Sequence, residues 1–286
     1  MLKAIKIANK NMFNFLKKIS YHPLISRLIW RLGLANSLRK FYYLLNRPSK
    51  GIISVELFGI NADFYIRTSW ELRSLEVAGG LGHEQHILEL LISKVRPGDV
   101  IYDIGSNFGI YTIFLAKAVG PNGIVIAVEP ESQSYEHLQD NLKLNALTNA
   151  RSFHLALGDS SGEAKLFLGQ VTGASSLVKL WGREENYQIV KVIEGNRLVK
   201  LEKLSLPRVV KIDVEGAEYA VIYGLKETLM NSACELVCCE IRPQLLPAGP
   251  QPKQIFDKLK SCGFNQINIY HRGTTEYHIL AQKLNQ

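Results

Sequence analysis

The spacing of apolar positions changes character near residue 50. Before it, Met12, Phe13, Leu16 and Ile19 share one helical face with Lys17 and Lys18 beside them. After Pro23, Leu24, Ile25, Leu28 and Leu32 make a second stripe with Arg27 and Arg31 one turn apart, and Leu38, Phe41, Tyr42 and Leu45 make a third. Intervals of three and four residues predict short amphipathic helices. Beyond residue 50 the pattern alternates between strand and helix. A hairpin is predicted from Ile53–Phe58 and Phe64–Thr68 around Gly59–Asp63, then a helix over about 82–95. Continuous apolar runs at 99–104, 123–128, about 151–157, 208–212 and 235–239 read as buried strands. Helices are predicted over about 131–145, 217–230 and 253–261, and the stretch 163–195 reads as short β-like pieces with a polar loop. Asn265–Tyr270 and Glu276–Ala281 predict a closing hairpin around His271–Thr275. Alternating βα units that end in a hairpin predict an α/β fold, with a mostly parallel sheet and one antiparallel strand.

Charge divides the chain at the same place. The net charge is +8, yet residues 1–50 hold eleven Lys and Arg and no acid, while the remainder has 23 basic against 26 acidic residues. Two units are therefore expected: a basic amphipathic helical arm over 1–50 and a catalytic-sized α/β domain over 51–286. Such an arm suits peripheral contact with an anionic membrane surface, or packs as a helical cap with its charges solvated. No nucleic-acid partner is expected, because charge alone points to one. No apolar run reaches the ~18 residues of a membrane span, and charged residues interrupt any signal-peptide core. Four cysteines, Cys234, Cys238, Cys239 and Cys262, show no C-x-x-C pair and read as buried thiols in a reducing compartment. A cytoplasmic location is expected, peripheral to a membrane if the arm binds lipid.

The chemistry concentrates where apolar runs end in acids. Asp103-Ile104-Gly105-Ser106-Asn107-Phe108-Gly109 follows one strand, and Glu129 closes the next, 26 residues beyond Asp103. A strand, a glycine turn, a helix and an acid-tipped second strand form a nucleoside-binding half of a Rossmann-type fold. The glycines are expected to let the backbone approach a ligand, and Glu129 to accept hydrogen bonds from ribose hydroxyls. A dinucleotide loop needs a glycine where Asn107 stands, and Asp103 would repel a pyrophosphate. An acid there suits a cationic ligand, so the expected cofactor is S-adenosylmethionine, with its sulfonium and ammonium groups.

Further acids fall at the same sheet edge: Asp159 past strand three, Asp213 at the end of strand four, and Glu240 at the end of strand five. Val209–Glu218 carries Lys211, Asp213, Glu215 and Glu218 around a strand that ought to be apolar, the kind of local violation found at functional sites. Asp213 and Glu215 are expected to position an acceptor hydroxyl and take its proton, with Lys211 beside them. A divalent cation on Asp213, Glu215 and Glu240 is the alternative, although no metal is predicted. Glu218 reads as a helix-opening acid that complements the helix dipole. Asp159 is a further expectation for the adenine amino group. Glu84 is expected either to reach the methionine end of the cofactor or to be a solvated helix charge. Gly173–Leu177 and Trp181 lie in the polar loop, where an acceptor would dock.

Taken together, the Asp103–Gly109 loop, Val128-Glu129-Pro130, Leu157-Gly158-Asp159, Gly173–Leu177, Lys211–Glu218 and the Glu240 strand end resemble the FkbM family of S-adenosylmethionine-dependent methyltransferases. Ser106 departs from that family's usual Ala, and residues 1–50 lie outside the resemblance. It implies a class I methyltransferase fold, a Rossmann-like seven-stranded sheet with helices on both faces, and O-methylation of a hydroxyl on a sugar, glycan or natural-product acceptor. It agrees with the cofactor contacts expected of Asp103, Gly105, Asn107, Gly109, Glu129 and Asp159; that of Glu84 rests on its helix position alone. Three other classes were weighed. A nicotinamide-dependent oxidoreductase lacks its glycine at Asn107, and an amino-group methyltransferase of nucleic acid lacks the Asn/Asp-Pro-Pro-aromatic run after strand four. A catalytically idle, membrane-docked binding partner is the third.

Overall fold

The computed structural model describes residues 51–76, 84–169, 175–178, 186–246, 252–272 and 275–284, with a few single positions before residue 51. The predicted arm helices, Gly173, Ala174 and Trp181 lie outside the described residues. Compactness divides the chain into two units, Met1–Gly51 with Ile66–Leu72, and Ile52–Tyr65 with Arg73–Gln286. In the first, the Ile66 N–H donates to the Gly51 carbonyl at 2.7 Å. The Glu71 N–H donates to the Thr68 hydroxyl oxygen at 3.2 Å, and the Glu71 carboxylate accepts the Thr68 N–H at 3.1 Å. This reciprocal capping box starts helix α1 (Ser69–Glu76).

The second unit is built on a seven-stranded sheet. Its strands are β3 (Val100–Ile104), β4 (Ile124–Val128), β5 (Ala150–Phe153), β9 (Val209–Ile212), β10 (Leu236–Ile241), β11 (Gln266–Arg272) and β12 (Glu276–Gln282). Their spatial order is β11-β12-β10-β9-β3-β4-β5, and β12 runs antiparallel to both its neighbours while the remaining pairs are parallel. The mostly parallel sheet with one antiparallel strand is that expected from the βα alternation and closing hairpin, and it has the class I methyltransferase arrangement that the resemblance implies. Helices α2 (Glu84–Lys94), α3 (Ile110–Val119), α4 (Ser132–Leu144), α5 (Gly195–Leu201), α6 (Glu218–Gly224), α7 (Lys226–Met230) and α8 (Pro252–Ser261) link the strands. Strands β9 and β10 are buried at every position, as central parallel strands covered on both faces must be. At the amino ends of the strands, Arg208 forks onto Asp99 through Nε at 2.7 Å and a terminal nitrogen at 2.5 Å, and reaches Glu235 at 3.1 Å.

Several boundaries differ from the pattern. The first hairpin is β1 (Ile52–Leu57) and β2 (Ile60–Tyr65), turning at Phe58-Gly59 and not over Gly59–Asp63. Asn145 accepts the Asp63 N–H at 3.0 Å and donates to its carbonyl at 2.6 Å, while Asn141 accepts the Tyr65 N–H at 2.9 Å, so one side-chain amide of α4 and that of its C-terminal cap serve as a partner strand for β2. The run read as strand three divides: β5 stays in the main sheet, and β6 (Ala156–Gly158) leaves it. With β7 (Gly162–Phe167) and β8 (Tyr187–Glu194), β6 makes a three-stranded sheet where only β-like pieces and a loop were expected. The helix expected over 217–230 is two helices, and His271 belongs to β11, not to its turn. Glu240 sits inside β10, where it pairs with His278 of β12, one residue short of the strand end. All four cysteines are buried and free. Among the described residues no helix is long and apolar enough to cross a membrane.

Candidate active site

The carboxyl ends of β3, β4 and β9 open on a cleft of about 610 Å³ that is continuous with solvent. Gly105 and Asn107 from the loop after β3, Glu129 after β4, and Asp213 and Glu215 after β9 all line it, over an apolar wall that includes Leu157. Ligands in open α/β sheets bind at this edge.

The loop after β3 is fastened to β4. The Gly105 and Ser106 N–H groups both donate to the Val128 carbonyl, at 2.9 and 3.1 Å. Asn107 has φ 49°, a left-handed backbone that Asn tolerates, and its N–H donates to Glu129 Oε2 at 2.7 Å. The Glu131 N–H donates to Glu129 Oε1 at 2.9 Å. Burial outweighs these two donors and pushes the Glu129 carboxyl up to about 7. Each carboxylate oxygen has more than one acceptor site, so Glu129 retains capacity for ligand hydroxyls. Among the described residues, the buried Ser106 hydroxyl and Asn107 side-chain oxygen find no hydrogen-bond partner.

Behind the loop, Asp103 and Lys211 face each other. They are register partners on β3 and β9, with Lys211 Nζ 3.2 Å from Asp103 Oδ1. Lys211 also donates to the Gly105 carbonyl at 2.8 Å and lies 4.9 Å from the centre of the Tyr111 ring, while Thr112 on α3 donates to Asp103 Oδ2 at 2.5 Å.

Beyond β9, carboxylates surround one guanidinium. Arg242, just past β10, meets Asp213 at 3.3 Å, Glu240 at 2.9 Å and Glu276 at 3.8 Å, and also pairs with Glu215. Arg272 holds the other Glu240 oxygen at 2.8 Å. Burial alone would raise Asp213, but Lys211 and Arg242 prevail and hold it below the usual carboxylate range. Burial pushes Glu215 up, Arg242 pulls it down, and the charges of Asp213, Glu218 and Glu276 push it up again; the balance is upward. Glu215 has the left-handed φ of 55°, and its carbonyl accepts the Ser176 hydroxyl. Glu218, pushed up to about 7 by burial, accepts the Gly216 N–H at 2.8 Å and so closes this turn, the structural role expected of it.

The model of the FkbM methyltransferase domain matches residues 103–265, more than half of the chain and all of this cleft. The chain belongs to the FkbM methyltransferase family. It is 28% identical over 203 residues to the hexuronic acid methyltransferase AglP of Haloferax volcanii, covering 70% of this chain and 76% of that protein. It is 29% identical over 207 residues to the methyltransferase sdnD of Sordaria araneosa, covering 61% of this chain and 76% of that protein. The crystal structure of an FkbM methyltransferase from Methylobacillus flagellatus superposes with a TM-score of 0.48 at 13% identity, over 66% of this chain and 44% of that longer one.

The methyl donor of this FkbM methyltransferase is S-adenosylmethionine. The cleft fits it: Glu129 can take ribose hydroxyls, two orphaned polar atoms lie in the loop beside it, and carboxylates outnumber cations around Asp213. The expected site residues do not all line the cleft. Asp103 is fully buried behind the loop, where Thr112 donates to one carboxylate oxygen and Lys211 lies 3.2 Å from the other. Lys211, buried with it, braces the loop. Gly105 lines the cleft and also makes room for backbone, since a Cβ there would lie 1.8 Å from the Asp213 carbonyl oxygen. Gly109 is outside the cleft lining, and a Cβ on it would strike Leu138 of α4 at 2.6 Å. Asp159 is exposed in the turn after β6 and is not among the cleft-lining residues, although Ala156 and Leu157 of that strand are. Glu84 opens α2, and its side chain is outside the described residues. The three carboxylates weighed for a divalent cation converge on Arg242 instead.

Three features went unread in the sequence. Arg242 stands two residues past Glu240, and a charge directly after a buried strand was the available signal. Glu131 lines the cleft and accepts the Ser134 and Ser175 hydroxyls, both at 3.1 Å. Ser176, expected only within the Gly173–Leu177 acceptor loop, is fully buried: its backbone pairs with Phe167 of β7 and its hydroxyl donates to the Glu215 carbonyl.

Proposed function

We propose that the protein methylates a hydroxyl of a sugar, glycan or related natural-product acceptor. The observation that carries this is the presence of Asp213 and Glu215 in the same cleft as Glu129 and Asn107. Bound S-adenosylmethionine supplies an activated methyl group, its C–S bond breaking onto sulfur as the acceptor oxygen takes the methyl.

The residues of the chain divide the remaining work. Glu129 and Asn107 hold the nucleoside, on a loop that Lys211 and Gly105 keep in place. Asp213, held ionised, accepts a hydrogen bond from the acceptor hydroxyl and orients it toward the donor. Glu215, whose proton affinity is raised, takes the hydroxyl proton late in transfer, when the oxygen has lost its basicity. The relative named as a hexuronic acid methyltransferase favours a sugar-derived acceptor. An acceptor panel of methyl glycosides and uronates, assayed for S-adenosylhomocysteine release, tests this. With an accepted substrate, Glu215→Gln should lower turnover by about 10²–10⁴. Full turnover by both Glu215→Gln and Asp213→Ala would remove the base from the account.

The arm over 1–50, separate from a methyltransferase domain over 51–286, belongs to the same proposal through its charge of +11. Salt-sensitive sedimentation of the full chain with anionic vesicles tests it.

A further inference from the structure

Arg242 lies outside the cleft lining, yet it touches Asp213 and Glu215, two of the acidic residues that line the cleft. Its guanidinium is only 12% exposed and joins the turn after β9 to Glu240 on β10 and Glu276 on β12. Glu240 is in turn held by Arg272 on β11. A planar fork with five donors can serve several carboxylates at once, which a lysine ammonium cannot do with fixed geometry. A guanidinium so thoroughly occupied by the protein's own acids is not a docking point for an anionic ligand.

We propose that Arg242 is a positioning residue of the transfer site, fixing the Glu215 carboxylate in the cleft and setting its readiness to accept a proton. The role rests on the assignment of Glu215 as proton acceptor. The turn that carries Glu215 needs such a brace. Glu215 and Gly216 both have left-handed backbones, at φ 55° and 105°, a conformation a non-glycine residue keeps only where its surroundings fix it. Ser176 holds the carbonyl of Glu215 and Arg242 holds its carboxylate. Among the described residues, the charged groups that act most on Glu215 are Asp213 on its own turn, Glu218 on α6, Arg242 after β10 and Glu276 on β12. Arg242 is the one cation among them. Without it Glu215 would stay protonated to higher pH and would be free to leave the cleft.

The test needs no acceptor. Carboxyl carbons of Glu in the full-length protein are followed by ¹³C NMR against pH, and Glu215→Gln assigns the Glu215 signal. S-adenosylhomocysteine binding is measured on the same samples. An opposite charge within ~4–6 Å typically lowers a carboxylate by about 1–3 pH units, so Arg242→Gln should raise the Glu215 midpoint by that order. Arg242→Lys keeps the charge but loses the fork, and should raise it by less. Arg272→Gln, which removes a partner of Glu240, should leave Glu215 near its original midpoint. If Arg242→Gln fails to fold, Arg242→Lys against Arg272→Gln decides the matter. An unmoved Glu215 midpoint in the Arg242 variants, with S-adenosylhomocysteine still bound, overturns the role of Arg242. Failure of the unmodified protein to bind S-adenosylhomocysteine would instead count against the transferase reading of the cleft.

Discussion

Lys211 and Asp103 are register partners on neighbouring parallel strands, and their charged ends meet at 3.2 Å with neither side chain more than 6% exposed. The same ammonium carries the Gly105 carbonyl, so one buried charge supports both the ion pair and the cofactor loop. Lys211→Met should therefore destabilise the protein by about 3–5 kcal/mol, because it leaves Asp103 buried without its counter-charge. Urea denaturation measures this. A loss below about 1 kcal/mol would show that the buried pair does not hold the strands together.

Glycines of the same left-handed conformation should respond differently to alanine. Gly59 has φ +73° with open space where a Cβ would go, so Gly59→Ala carries only left-handed strain, about 1–2 kcal/mol. Gly105 has φ +77° and would place its Cβ 1.8 Å from the Asp213 carbonyl oxygen. Gly105→Ala must separate β3 from β9 at the cleft, and should cost clearly more than Gly59→Ala and weaken S-adenosylhomocysteine binding. Equal costs in denaturation would mean that the two strand ends are not in close contact.

Stability should fall between about pH 4.5 and 7. Glu129 and Glu218 are both raised from 4.5 to about 7 on folding, chiefly by burial. The native state then holds protons that the unfolded chain has released, so its advantage from these groups is present at low pH and lost as pH rises toward their folded values. The effect is at most about 1.4 kcal/mol per group for each pH unit of difference. Asp213, lowered on folding, acts in the opposite sense at more acid pH and does not share this window. Denaturant midpoints at pH 5, 6 and 7, compared with Glu218→Gln, measure the trend; rising midpoints in the parent would contradict it.

Ligand binding should be linked to the Glu129 proton. Hydroxyls donating to Glu129 favour its ionised form, so S-adenosylhomocysteine should release a proton on binding near pH 6 and bind up to about tenfold more weakly there than at pH 7. Calorimetry in buffers of different ionisation enthalpy counts that proton, and Glu129→Gln should abolish it. Binding without proton release would remove Glu129 from the ligand contacts.

The sheet was legible because its central strands are short apolar runs that end in acids, and the edge holding Glu129, Asp213 and Glu215 follows from where those runs stop. Apolar character alone could not show that Leu155–Leu157 continues after the chain has left the main sheet, so the three-stranded sheet and the displacement of Asp159 were missed. A charge was taken as the end of β10, whereas Glu240 is tolerated within the strand because Arg242 and Arg272 hold both its oxygens. The burial of Asp103 was hidden for a related reason. Its partner, Lys211, lies over a hundred residues away and reaches it only through the β3–β9 register. Local patterns located the acids; the long-range pairing of strands decided which of them face the cleft.

Calorimetric titration of the full-length protein with S-adenosylhomocysteine and with NAD, repeated on Glu129→Ala, tests the central claim most directly. At about 100 times its dissociation constant a ligand adds about 2.7 kcal/mol of stability, so thermal shift gives an independent check. The account predicts selective binding of S-adenosylhomocysteine that the mutation weakens. Binding of NAD instead, or of neither ligand, would contradict it.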